Sequence, residues 1–149
     1  MSRPVYERSG DLEREAKAIE AIGAVWGVAF AKTPKFYSID FCMVDQSGRV
    51  CGWVEIKGKT FARSTYPTFY TSTEKLLRLV RMGQFTGLPA ILVCSWADGV
   101  FYNQPTHADC RRWDIKVGGR VDRGDADDVE PVTHIPVDEF KPVASGSPI

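Results

Sequence analysis

The sequence predicts an α/β fold, a central mixed β-sheet flanked by helices. Three observations predict it. Apolar residues recur at helical spacing in two segments, 9–24 and 72–87. Several short runs alternate or are continuously apolar, as strands do. Their order is helix, strand, strand, strand, helix, strand, strand, which suits one mixed sheet with helices packed against it.

The first helix is SGDLEREAKAIEAIGA. Ser9 or Asp11 is a suitable cap, Gly23 suits its end, and Leu12, Ala16, Ile19, Ile22 and Gly23 form the expected apolar stripe. AVWGVAF (24–30) reads as a strand, followed by FYSIDFCMV (36–44) and RVCGWVEIK (49–57), with DQSG as the turn between the last two. ARSTYPTFY reads as a loop. The second helix is STEKLLRLVRMGQFTG, capped by Ser72 or Thr71 and stopped by Gly87 and Pro89. AILVCSW (90–96) reads as a covered strand, and ADG turns it into the hairpin partner VFYNQ. Beyond Pro105 the pattern weakens. CRRWDIKVGG and VTHIPV are candidate strands, DRGDADDVE is an acidic loop, and the last residues look frayed.

At 149 residues the chain fits one domain with a sizeable core. Nineteen Lys and Arg balance nineteen Asp and Glu, so any surface for a polyanion must be local. The charged start MSRPVYERSGDLEREA is unlike a signal peptide, and the low-polarity run 22–31 is too short to span a bilayer. A cytoplasmic location with no membrane partner is expected. Cys42, Cys51, Cys94 and Cys110 lack metal-ligand spacing and read as reduced thiols.

The chemistry centres on GWVEIKGK (52–59), where Glu55 and Lys57 point to one face of a strand. With Ser47-Gly48 at the centre of the hairpin, Asp45 faces Val50, Val44 faces Cys51 and Asp40 faces Glu55. Opposed β-carbons lie roughly 4.5–5.5 Å apart, so Asp40, Glu55 and Lys57 converge. Two carboxylates that close repel unless a cation lies between them. Mg²⁺ or Mn²⁺ suits such oxygen donors, with the Ile56 carbonyl as a further ligand. Lys57 beside the metal could orient an attacking water or stabilise a phosphorane-like transition state. The bland alternative is a solvated cross-strand charge cluster.

Asp40 followed by Glu55-Ile56-Lys57 on the next strand resembles the PD-(D/E)XK nuclease superfamily, and the order of elements over residues 10–103 resembles its core. YPTFYTSTEKLLRL, GLPAILVCSWADGVFY and GGRVDRGDADDVEPVTHIPV look like small phage-encoded proteins of that superfamily. Ile39 stands where the motif often has proline. The resemblance implies a restriction-endonuclease-like core with a C-terminal extension over 104–149 and a Mg²⁺- or Mn²⁺-dependent DNA endonuclease, in one nuclease domain over 1–149. Resolvase-like and VRR-type nucleases would be its neighbours, with structure-selective cleavage in view, and the host cytoplasm would be its location if phage-encoded. It implies Asp40 and Glu55 as metal ligands and Lys57 as the catalytic lysine.

Many members add a glutamate from the first helix. Glu13, Glu15 and Glu20 compete, and helical phase favours Glu15 as catalytic residue and metal ligand, against its use as an ion-paired stripe-edge residue. Lys75, one turn into the second helix, is the further catalytic candidate, against a solvated helix lysine. A homodimer is expected, since two sites can cut two strands. Between Lys57 and Met82 the basic residues Lys57, Lys59, Arg63, Lys75, Arg78 and Arg81 stand against Glu74 alone, with Tyr66, Phe69 and Tyr70 among them. Lys59, Arg63, Tyr70, Arg78 and Arg81 are the nucleic-acid-binding candidates; Arg111 and Arg112 could extend the patch. His107 and His134 read as structural or surface residues, and RGD (123–125) as a charged turn. Two rival readings stay open: a catalytically inactive nucleic-acid-binding module on this fold, and a structural or partner-binding phage protein.

Overall fold

The computed structural model describes residues 9–34, 37, 39–119, 124, 126 and 129–145. The side-chain caps expected at Ser9 and Asp11, part of the acidic loop with most of its RGD, and the final four residues lie outside the described residues.

Helix α1 spans Ser9–Trp26, longer than its sequence suggested. It passes Gly23 and stops at Gly27, whose φ of 66° is left-handed and whose N–H donates to the Gly23 carbonyl at 3.1 Å. The strand expected from Ala24 is therefore only β1, Ala29–Lys32. Trp26 decides this. It completes an i, i+4, i+8 stripe with Ala18 and Ile22, all buried, and meets Tyr102 edge-on at 5.1 Å. Burying that ring outweighs the strand preference of Val25-Trp26. The stripe is also rotated from the expected one, and Leu12 and Ala16 are exposed.

Strands β2 (Phe41–Val44) and β3 (Val50–Gly58) form the anticipated hairpin. Phe41 faces Val54, Cys42 faces Trp53 and Met43 faces Gly52, the expected register. Next to the turn it shifts. Val44 faces Val50 instead of Cys51, and Asp45 takes the Arg49 carbonyl at 2.9 Å instead of facing Val50. The cause is Asp45 Oδ1, which accepts from the Ser47 N–H, the Ser47 hydroxyl and the Arg49 N–H and tightens the turn into a bulge.

The segment read as a loop before the second helix contains strand β4, Thr68–Ser72. Its burial alternates, with Phe69 and Thr71 inward, but Pro67 and the hydroxyl-rich composition hid the pattern. Helix α2 (Thr73–Thr86) has the expected ends: the Ser72 hydroxyl accepts the Lys75 N–H at 3.3 Å, and Gly87 closes it at φ 71°. Strands β5 (Ala90–Trp96) and β6 (Gly99–Asn103) form the predicted hairpin around Ala97-Asp98.

Beyond Pro105 comes α3 (His107–Arg112), which the sequence reading missed. Its signal was Thr106 with Asp109 three residues on, a reciprocal capping box. Strands β7 (Asp114–Gly119), β8 (Val129–Pro136) and β9 (Lys141–Pro142) follow. Residues 137–143 are not frayed: Phe140 and Val143 are each 3% exposed, and β9 joins the main sheet.

The main sheet runs β1-β2-β3-β5-β6-β9 and is mixed, with β3 and β5 parallel across the α2 crossover. A second sheet runs β4-β8-β7. Alternation on β3 divides the core. Val54 and Ile56 pack with Ala18, Ile22 and Trp26 of α1, whereas Trp53 belongs with Leu76 and Leu79 of α2. Glu55 and Lys57 share the face of Trp53. Among the described residues no helix is long and apolar enough to cross a membrane.

Candidate active site

Glu55 and Lys57 stand in the C-terminal half of β3, held by β5 on one side and just past the last β2 pair, at Val54, on the other. Glu55 is 5% exposed, and its Oε1 lies 3.2 Å from Lys57 Nζ. Asp40 sits in a bend one residue before β2, half-buried. Its N–H donates to Glu55 Oε2 at 3.2 Å, and its own Oδ2 accepts the Ile56 N–H at 3.4 Å. The two carboxylates are thus interlocked through the backbone. Because β2 begins only at Phe41, the Asp40 side chain takes up an amide of β3 that the shortened β2 leaves unpaired. Peptide groups alternate along a strand, and Trp53 and Lys59 donate on the β5 side, to Pro89 and Ser95. The Ile56 carbonyl therefore points to the Asp40 side.

Thr33 holds the bend, a role that no local sequence pattern announces. Its N–H and hydroxyl both donate to the Asp40 carbonyl, at 3.1 and 2.8 Å, and its hydroxyl also reaches the Ile39 carbonyl. The residue lies just past β1, whose Lys32 pairs with Phe41, so the β1–β2 ladder delivers it to the place where Asp40 must be fixed.

Burial pushes the Glu55 carboxyl up from its usual range. Lys57 draws it down, Asp40 pushes it up and Lys75 draws it down, and the balance stays upward. For Lys57, burial opposes the ammonium, but the charges of Glu55 and Asp40 outweigh it and raise its pKa. Lys57 is therefore a cation at neutral pH. Lys59, one repeat further along the same face, has its pKa lowered, mainly by burial. The Cys94 thiol beside these lysines is buried, and burial pushes it up to about 12, which disfavours the thiolate.

The structure brings together Asp40, Glu55 and Lys57, with Lys75 in the first turn of α2 near enough to favour ionised Glu55. It does not bring Glu15 into this group. Glu15 lies on α1, which packs against the opposite face of β3, and its Oε1 is 3.5 Å from Lys32 Nζ. Among the described residues, no cluster of three His, Cys, Asp or Glu could hold a metal ion.

The basic candidates divide. Lys59 Nζ sits 5.5 Å from the Phe69 ring and 5.4 Å from the Tyr70 ring. Arg63 donates from Nη1 to the Val137 carbonyl at 2.8 Å and lies over Phe101. Arg78 pairs with Glu74 at 2.5 Å, one turn away, and Arg81 lies over the exposed Phe85. Arg112 does not extend the patch, since its guanidinium is held by Asp109 at 2.8 Å and by Glu139. His107 opens α3 at the surface, and His134 Nδ1 bonds the Thr68 hydroxyl at 3.1 Å, a structural contact between β8 and β4.

The pair of oxygen-donor side chains, the adjacent carbonyl and the repulsion between two carboxylates suit a hard divalent cation. The family model described as "Phage putative PDDEXK endonuclease" matches residues 1–143. No curated protein matches the chain. Among solved structures, Hjc of the archaeal hyperthermophile Archaeoglobus fulgidus, a Holliday junction resolvase, aligns with a TM-score of 0.53 at 14% identity, over 86% of this chain and 84% of that one. At that identity the likeness is one of fold: a mixed sheet and helices arranged as in a PD-(D/E)XK resolvase.

Proposed function

The chain belongs to the phage PDDEXK endonuclease family, and on that premise we propose that it is a metal-dependent DNA endonuclease acting through Asp40, Glu55 and Lys57. The observation that supports this best is the interlocked carboxylate pair with Lys57 3.2 Å from Glu55. Asp40, Glu55 and the Ile56 carbonyl are the residues that would hold Mg²⁺ or Mn²⁺. Glu15, lying against Lys32, is left out of the proposed ligand set. The ion, when bound, would polarise a phosphoryl oxygen and acidify a water.

The chain's own groups do the rest. Lys57, an ammonium, orients the attacking water and stabilises the charge that grows on the phosphoryl oxygens. Water attacks phosphorus in line and gives up its proton to solvent, one P–O bond forms, the bond to the leaving sugar oxygen breaks, and that oxygen takes a proton from solvent water. Lys75 supports a non-bridging oxygen from the helix side. Lys59, Tyr70 and Arg81 are the proposed contacts for the DNA strand, with Arg78 and Arg63 more constrained by their present partners. A homodimer would place two such sites on two strands, and action in the host cytoplasm fits the phage family.

The test is cleavage of labelled duplex, single-stranded, flap and four-way-junction DNA with Mg²⁺ or Mn²⁺, wild type beside Lys57→Ala and Asp40→Asn. Loss of about 10³-fold in rate in both variants, with binding kept, is the expected result. Equal cutting by all three proteins would sink the assignment. Salt-sensitive binding without cutting would favour the inactive binding module, and neither binding nor cutting a structural protein.

A further inference from the structure

A cavity of about 480 Å³ opens where the two sheets meet, beyond the Lys57 end of β3. Its walls include Phe61, Tyr66, Phe69 and Tyr70, with Lys59 and His134. Tyr66 and Tyr70 are 56% and 48% exposed, while Phe69 is buried. The rings are fixed. Phe61 meets Tyr66 edge-on at 5.0 Å, and Tyr70 lies beside His134 at 5.8 Å with the planes only 37° apart. His134 is held by the Thr68 hydroxyl, and Lys59 Nζ lies over both Phe69 and Tyr70. Two tyrosine rings at the mouth of a cavity offer flat, amphipathic surface on which a ligand can stack.

Position says what the occupant is attached to. Lys59 follows Lys57 by two residues on the same face, roughly 7 Å along the chain. Stacked nucleotides advance about 3.4 Å each along one strand. A DNA strand whose phosphate lies at Lys57 therefore brings a nucleotide about two steps away to Lys59. A base kept in its duplex stack cannot enter a concave pocket. One that has left the stack can, and it offers an aromatic face to tyrosine and a phosphate to lysine.

Resting on the nuclease reading given above, we propose that this cavity receives an unpaired nucleobase about two nucleotides from the scissile phosphate, stacked on Tyr70 and Tyr66 with its phosphate on Lys59. The pocket then selects DNA that carries an unstacked nucleotide: flaps, bulges, junction crossovers and single strands. Fully paired duplex leaves it empty.

The experiment is fluorescence anisotropy in Ca²⁺ with three labelled duplexes: one with a single unpaired adenine, one with an abasic bulge at that place, and one fully paired. Wild type should bind the adenine bulge about 5- to 150-fold more tightly than the abasic one, the range expected of aromatic stacking on one base. Tyr70→Ala and Tyr66→Ala should reduce that ratio towards one, while Tyr70→Phe, which keeps the ring, should preserve it. Equal wild-type affinity for the two bulges would overturn the proposal. So would a Tyr70→Ala that weakens both bulges alike. Competition by free dAMP at the oligonucleotide's own affinity would make this a mononucleotide site and also overturn it. Parallel cleavage reactions keep the two readings apart: base discrimination without cleavage leaves the pocket standing and removes the nuclease, and cleavage without discrimination does the reverse.

Discussion

Replacing Lys57 by methionine, which keeps most of the stem and removes the charge, should make stability depend on pH in a defined way. Lys57 Nζ is 3.2 Å from Glu55 Oε1. At an effective dielectric of about 20 that contact carries roughly 5 kcal/mol of attraction. Lys57 is 30% exposed, and Lys75 also favours ionised Glu55. The net loss at pH 8 is therefore set below the full cost of breaking a buried pair, at about 2–3 kcal/mol. The Glu55 pKa is raised on folding, so its contribution is fully present below its unfolded value near 4.5 and is lost as pH rises through the folded value. Without Lys57 that folded value moves further up, and Glu55 ionises at greater cost. Lys57's own raised pKa contributes across the whole range below 10.5 in the wild type and is absent from the variant.

The difference between wild type and variant should accordingly grow from pH 5 to pH 8, by no more than about 1.4 kcal/mol per pH unit for one proton. Urea unfolding in EDTA at several pH values measures it. Adding Glu55→Gln to Lys57→Met should remove the pH dependence and recover part of the stability. Millimolar Mg²⁺ should also recover part of it, since the ion would bind only the folded site. A pH-independent loss, or a double variant no better than the single at pH 8, would refute the coupling of these two charges.

Thr33→Val removes the hydroxyl that donates to the carbonyls of Ile39 and Asp40. It should cost about 1 kcal/mol of stability, yet lower kcat for DNA cleavage about 10-fold with KM unchanged, and Thr33→Ser should restore kcat. Gly58→Ala places a methyl 2.8–2.9 Å from Arg14 Cδ, Nε and Cβ on α1. It should destabilise by about 1–3 kcal/mol through overpacking, read as a lower urea midpoint. Arg112→Ala should leave the salt dependence of DNA affinity unchanged because Asp109 and Glu139 already hold the guanidinium. Arg81→Ala should reduce the slope of log K against log salt by about 0.9, the release of one phosphate contact.

What the sequence disclosed and what it hid follow from separation along the chain. The β2–β3 hairpin was legible because a five-residue connection fixes which residues oppose, and the Asp45 bulge next to the turn left the pairs at Phe41–Met43 in phase. Asp40 and Glu55 could thus be placed together from residue numbers alone. Helix α2 was legible because its cap and its left-handed glycine act within a few residues. The β4–β8–β7 sheet was not. Thr68–Ser72 pairs with Val132–Pro136, sixty or more residues later, and no local pattern announces such a partner. The phase of α1 failed for a related reason: Trp26 belongs to the helix because Tyr102, on a distant strand, offers it an edge. Thr33 was invisible because its importance lies in two carbonyls that only the β1–β2 pairing brings within reach.

The same division runs through the site. The short motif lies on one hairpin, and that hairpin joins the metal-ligand candidates to Lys57. The surroundings come from distant segments: Lys75 from the crossover helix, Phe69 and Tyr70 from β4, and His134 from β8. A hairpin alone would present two carboxylates and a lysine to any phosphodiester. On the proposed reading, selection among DNA structures would need a wall, and the second sheet, packed where β3 ends, would supply it. Substitutions on β3 should therefore change the rate of cutting, and substitutions on β4 and β8 should change which DNA is cut.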